Sequence, residues 1–188
     1  MICLSGNLPV LQIGNHQVVG YDTAWIDEAL MRAAAMSDRQ DFPFIDDLRD
    51  GILHYLEHRC SLRLLLIEDL YARMRSMLIR LGCDAIAKNL KVLSPPVTIS
   101  LVRTARKAGN GFELLFFSQL SEEIEQLQKN GVESIRFCDI EECAKILRAC
   151  KSKTKACSLL ISEIVAFLKQ YRVGSTTSDR EISLIPVL

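Results

Sequence analysis

The chain is 188 residues long, 49% hydrophobic and 24% charged, and its 23 basic side chains are balanced by 23 acidic ones. Such a composition supports a packed core, in one large domain or two small ones, and excludes a wholly disordered chain. The zero net charge argues against nucleic acid as a partner, because binders of the phosphate backbone carry a basic excess.

Residues 1–6 lack the basic start and apolar run of a secretory signal. Seven cysteines without such a signal point to free thiols in a reducing compartment, and their odd number excludes complete pairing within the chain. A cytoplasmic protein is expected. The most apolar stretches, residues 62–67 and 159–168, fall short of the roughly 20 residues that span a bilayer. They read as buried elements, so no membrane association is expected.

Two apolar runs at residues 9–13 and 17–21, around Gly14-Asn15-His16, predict a β-hairpin. Asp22 or Thr23 then caps a helix with the stripe Ile26, Ala29, Leu30 and Ala33. A second helix follows Pro43 and turns Ile45, Leu48, Ile52, Tyr55 and Leu56 inward. A third carries Ile67, Leu70, Met74, Met77, Leu78 and Leu81, and Gly82 stops it. A short fourth, near residues 84–91, contributes Ile86, Ala87 and Leu90. Ser94-Pro95-Pro96 ends this half, because a residue preceding proline is pushed out of the helical region.

Beyond the prolines, residues 97–102 and 112–117 read as strands joined through a Gly109-Asn110-Gly111 turn. Residues 122–129 read as a helix ending at Asn130-Gly131, and 132–138 as a further strand. Asp139 and Glu142 have capping-box spacing. A 3,4 periodicity then runs through Ile140, Cys143, Leu147, Cys150, Thr154, Cys157, Ile161, Ile164, Leu168 and Tyr171. The polar segment around Thr154 favours two helices over one long one. The tail from residue 173 ends in an apolar stretch, 182–188, that can pack on the body or on a neighbour. The expected class is α+β: a hairpin with four helices over residues 1–94, a mixed-sheet ββαβα(α) domain over 95–172, and a tail over 173–188.

The hairpin pattern Val10-Leu11-Gln12 and Val18-Val19-Gly20-Tyr21-Asp22, then Ile26, Ala29-Leu30, Ala33-Ala34, Ile67, Leu70 and Leu81-Gly82-Cys83-Asp84-Ala85-Ile86-Ala87, resembles the ATP-cone. This small nucleotide-sensing module occurs on ribonucleotide reductases and related regulators. The likeness covers roughly residues 9–91 and implies ATP or dATP as ligand, with Gln12, Asn15, Asp22 and Trp25 at the matching binding positions. Members of that family carry a Lys-Arg pair before an Asp-Gly turn, where this chain has Gln12-Ile13-Gly14-Asn15. The family's late hairpin acid falls on Val18 or Val19, and its helix-start lysine on Trp25. Charge-assisted phosphate contacts need such cations, so the expectation is a degenerate cone without a resident cofactor.

His54-Tyr55-Leu56-Glu57-His58 spells H-x-x-E-H, which on a helix sets two histidines one turn apart with a glutamate beside them. His54 and His58 are therefore candidate zinc ligands. No spacing supplies a third ligand, and Asp47 and Asp50 on the same face suggest solvated His–carboxylate pairs instead. Cys143, Cys150 and Cys157 recur every seven residues. On one continuous helix that spacing is too long for a shared metal or a disulfide, and the thiols read as packing groups. Lys151, Lys153 and Lys155, with Arg148, form the main basic run, which reads as a solvated face. The expected function is a non-catalytic regulatory or interaction module that self-associates.

Overall fold

The structure, a computed structural model, describes residues 8–37, 43–152, 154–173 and 182–184. Its contacts divide the chain into two compact units, Met1–Pro95 and Pro96–Leu188, which meet one residue from the expected boundary. The class is α+β.

In the first unit, β1 (Val10–Ile13) pairs antiparallel with β2 (His16–Val18) across Gly14-Asn15. The second strand is shorter than expected, ending before Gly20, whose φ is +61°. Asp22 Oδ1 accepts the Ala24 amide at 3.2 Å and so satisfies a free donor at the start of α1 (Ala24–Ala35). The expected stripe Ile26, Ala29, Leu30 and Ala33 is buried. Helix α2 (Ile45–His54) follows Pro43 and runs into a π-helical turn over Tyr55–Arg59. Leu48, Ile52 and Leu56 are buried, while Ile45 and Tyr55 are half-buried.

A strand absent from the sequence expectation comes next. Residues 64–66 form β3 (Leu64–Leu66), parallel to β1, so the sheet order is β2-β1-β3. Three leucines cannot be told from a helix start by periodicity, and pairing with β1 decides the matter. Helix α3 (Ile67–Arg80) buries Ile67, Leu70, Met74 and Leu78. Leu81 lies beyond its end and is 59% exposed, contrary to its expected place in the stripe. Gly82, at φ +75°, donates to Ile79 O, and Cys83 donates to Leu78 O. This is the paired closure of a Schellman cap, which needs a left-handed residue. A short α4 (Asp84–Asn89) follows, with Ile86, Ala87 and Leu90 buried.

Tyr71 does what the stripe could not reveal. Its hydroxyl donates to Leu93 O at 2.8 Å and accepts from the Leu93 amide at 2.9 Å, so both backbone polar groups of buried Leu93 rest on one side chain. Tyr71→Phe leaves them without that partner at a cost of about 1–3 kcal/mol. Urea unfolding should show a lower midpoint with an unchanged slope.

The second unit differs from its expected order. Strand β4 (Val97–Ser100) stops where Leu101 starts α5 (Leu101–Ala108), and residues 112–117 belong to α6 (Glu113–Lys129) rather than to a strand. A continuous apolar run does not fix its own period. Here Phe116, Leu120, Ile124 and Leu127 share one buried helical face, which fuses the run with the helix expected at 122–129. Gly131, at φ +79°, closes α6. Then β5 (Ile135–Cys138), α7 (Ile140–Leu147), α8 (Lys155–Val173) and β6 (Ile182–Leu184) complete the unit.

The sheet is all parallel, in the order β4-β5-β6. The observed pattern is thus βααβααβ, a strand, a short helix and a long helix repeated. Phe117 and Phe167 approach at 4.9 Å between ring centroids and Ser121 hydrogen-bonds Tyr171, so the two long helices run side by side in the same direction. The 3,4 seam does break into two helices. The apolar tail finds its partner in β5 through residues 182–184, while residues 174–181 and 185–188 lie outside the described residues.

Asp139 does not cap α7 through a side-chain hydrogen bond. It adopts φ +62°, and its Oδ2 accepts from Ser100 Oγ and, at 3.3 Å, from Cys138 Sγ. The carboxylate therefore ties together the carboxyl ends of β4 and β5.

Candidate functional site

The four hairpin-end positions singled out by sequence are held by the fold itself. Gln12 Nε2 donates back to Gly14 O within its own turn, and Asn15 sits exposed in that turn. Asp22 serves the start of α1 as described. Trp25 is 4% exposed, with Nε1 donating to Asp22 O at 3.0 Å and its ring between Tyr21 and Tyr71 at 6.4 and 6.2 Å. Gln12 and Asn15 thus sit at the β1–β2 turn and Asp22 and Trp25 at the start of α1, where Trp25 spends its ring and its N–H on protein partners.

His54 and His58 come together as a stacked pair, ring centroids 4.6 Å apart and planes 22° from parallel. His58 Nδ1 donates to His54 O at 3.3 Å. Glu57 Oε2 lies 3.9 Å from His58, while Asp50 pairs with Arg49 at 2.9 Å rather than with a histidine. Among the described residues, no three His, Cys, Asp or Glu side chains gather as a metal ion requires.

The π-helical turn that carries His58 has another consequence. Its closing bond, from the Cys60 amide to Tyr55 O at 2.8 Å, spans five residues, and such turns recur at functional sites. Tyr55 stands at the mouth of a cavity of about 360 Å³ between α2 and α3, within the size range of small-molecule pockets. Ile52, Leu70 and Met74, each under 4% exposed, make the apolar floor. The more exposed Tyr55, Arg73, Met77, Arg80 and Leu81 form the rim, and Gly51 adds to the lining from the α2 side. A Cβ built on Gly51 would meet nothing within 4 Å. A glycine inside a helix costs about 1 kcal/mol against alanine, and here it leaves open space on the α2 side of the cavity lining.

Arg73 and Arg80 are seven residues apart, two turns or about 10 Å along α3. Arg73 lies over the Tyr55 ring, 5.6 Å from its centroid, and donates to the Tyr55 hydroxyl. Arg80 Nε donates to Ser76 O at 3.3 Å. The ion pairs among the described residues use other cations, as in Arg32–Glu28, Arg49–Asp46 and Arg148–Glu113. No ion pair engages Arg73 or Arg80 there. Two guanidinium groups therefore face an apolar cavity with donors to spare. The sequence carried a signal for this site, a mid-helix glycine opposite Arg-x₆-Arg with methionines between, but that pattern matches no motif.

In the second unit, burial and the Asp139 carboxylate push the Cys138 thiol's pKa up, which keeps it protonated and unsuited to nucleophilic work. Burial also raises that of Cys143, to about 12.

No protein-family model, curated protein or solved structure matches the chain. Among the described residues no helix is long and apolar enough to cross a membrane.

Proposed function

We propose that the protein is a non-catalytic regulatory module whose first unit binds a small anion with an apolar or aromatic body in the α2–α3 cavity. The chemistry of the lining carries this proposal. Two arginines and a tyrosine orient an acid bidentately, and methionines adapt to the apolar part. None of the lining side chains is a carboxylate, histidine, lysine, cysteine or serine, so the cavity offers no strong nucleophile and no proton shuttle near neutral pH.

ATP and dATP are members of this ligand class and are the nucleotides the ATP-cone likeness implies. They would meet Arg73 and Arg80 here instead of the cations missing from the hairpin. A thermal-shift panel of ATP, dATP, naphthyl phosphate and decanoate separates the sources of the anion, because a ligand that binds the native state alone raises the midpoint. Upward shifts confined to the nucleotides would make the module a nucleotide sensor. Shifts with the aryl phosphate or the fatty acid would make it a sensor of organic acids. No shift with any of the four would overturn the proposal.

The expected self-association has support on the second unit. Phe112, Leu114 and Leu115, at 62, 88 and 44% exposed, cluster at the start of α6. Ile164 and Leu168 lie in the core and residues 182–184 in the sheet, so neither the apolar stripe of α8 nor these tail residues supply that surface. Sedimentation equilibrium should give a dimer or larger, and Leu114→Asp should return it to monomer. The described thiols are unpaired, which supports a reducing, cytoplasmic setting.

A further inference from the structure

The heptad-spaced cysteines of an unbroken helix could never meet. The observed break changes that. Helix α7 ends at Leu147, and Ala149 follows in the left-handed region at φ +51°. The Ala149 amide donates to Ile146 O and the Cys150 amide to Lys145 O. This is a Schellman closure with alanine where glycine is usual, at a strain cost of roughly 1–2 kcal/mol. The reversal carries Cys150 back toward the first turn of α8.

There Thr154 Oγ1 accepts the Cys157 amide at 3.2 Å and donates to Cys157 Sγ at 3.3 Å. Cys150 Sγ lies 4.0 Å from the same hydroxyl oxygen, so the two sulfurs are no farther apart than the sum of two short contacts. Cys150 is half-buried and Cys157 is covered.

We infer that Cys150 and Cys157 form a redox-active dithiol that closes to a disulfide across the α7–α8 turn when a hydroperoxide is present. Exposure and reactivity divide the work. The Cys150 sulfur, reached from solvent, attacks the hydroperoxide and takes one oxygen. The O–O bond breaks, the alcohol or water leaves, and Cys150 becomes a sulfenic acid. The Cys157 sulfur then attacks the Cys150 sulfur, the S–O bond breaks, and water departs with the Cys157 proton, leaving the S–S bond. Both thiols together lose two electrons, which the hydroperoxide accepts.

The surroundings suit Cys157 to the second step. Hydrogen bonds from Thr154 come first in holding its thiol below the usual cysteine pKa, with smaller help from Cys150 and the Arg148 charge. A thiol so placed in the first turn of a helix is the better nucleophile toward a sulfenic acid at neutral pH. Cys138 and Cys143, with raised pKa values, are the internal controls.

The test uses the reduced full-length protein and stoichiometric hydrogen peroxide. The expected result is a mass lower by two hydrogens and a peptide map linking the Cys150 and Cys157 segments, reversed by dithiothreitol. Cys157→Ser should halt the reaction at a dimedone-trappable sulfenic acid on Cys150, and Cys150→Ser should abolish the fast oxidation. Thr154→Val should slow closure several-fold and move its pH midpoint upward, which a merely structural loss would not do. Oxidation that falls first on other cysteines, or a two-hydrogen loss that survives Cys157→Ser, would overturn the assignment.

Discussion

Trp25→Ala should collapse the first unit rather than disarm a ligand site. The indole is 4% exposed, packs between two tyrosines and satisfies Asp22 O. Deleting a buried aromatic of this size costs about 3–5 kcal/mol, a large share of the 5–15 kcal/mol that holds a typical domain together. The unit's melting midpoint should fall by more than about 10 °C, read by circular dichroism or calorimetry. Trp25→Phe keeps most of the apolar contact and loses one hydrogen bond, so its cost should be about 1 kcal/mol. A Trp25→Ala protein that melts like the parent but no longer binds ATP would instead place this residue at a nucleotide, as the ATP-cone likeness implies.

Arg73→Ala and Arg80→Ala should each weaken anion binding about 10- to 100-fold while leaving the fold intact. A hydrogen bond to a charged group contributes roughly 1.5–3 kcal/mol, and 1.4 kcal/mol is a factor of ten in affinity. Arg80 makes only a local hydrogen bond to Ser76 O, so its removal should barely change the melting midpoint. Arg73→Ala also gives up the Tyr55 contact, worth a few tenths to about 1 kcal/mol at an exposed position. Because the two guanidinium groups would share one ligand, the double variant need not show the sum of the single losses.

How much of this was legible beforehand follows from what each segment's pattern determines. The stripes of α1 and α3 and the glycine stops at Gly82 and Gly131 were plain, because amphipathic periodicity and left-handed caps are local properties of the chain. Residues 64–66 and 112–117 were not, because an apolar run has no period of its own and takes its conformation from its partners. In the first case β1 offered an edge. In the second, the face running through Leu120 and Ile124 imposed a helix.

The candidate sites divide in the same way. The pairing of His54 with His58 was readable from spacing, but their stacking was not. The α2–α3 cavity depends on Gly51 and Arg73, which are 22 positions apart in the sequence. Both line one cavity only once the π-helical turn and β3 between them have formed, and no local spacing announces that. The approach of Cys150 to Cys157 likewise depends on one residue, Ala149, taking a backbone conformation that alanine rarely adopts.

The central claim, that the α2–α3 cavity is a binding site for an anion with an apolar body, is tested most directly by isothermal titration. Naphthyl phosphate and ATP would be titrated into the parent protein, the Arg73→Ala/Arg80→Ala double variant and Gly51→Leu. The last replaces a mid-helix glycine of the cavity lining that has open space above its α-carbon, so it should fold at least as well while adding bulk to the lining. The account predicts one site per chain for at least one probe, with binding lost in both variants at unchanged helicity. Equal affinity in all three proteins, or no heat from either probe with the parent, would contradict it.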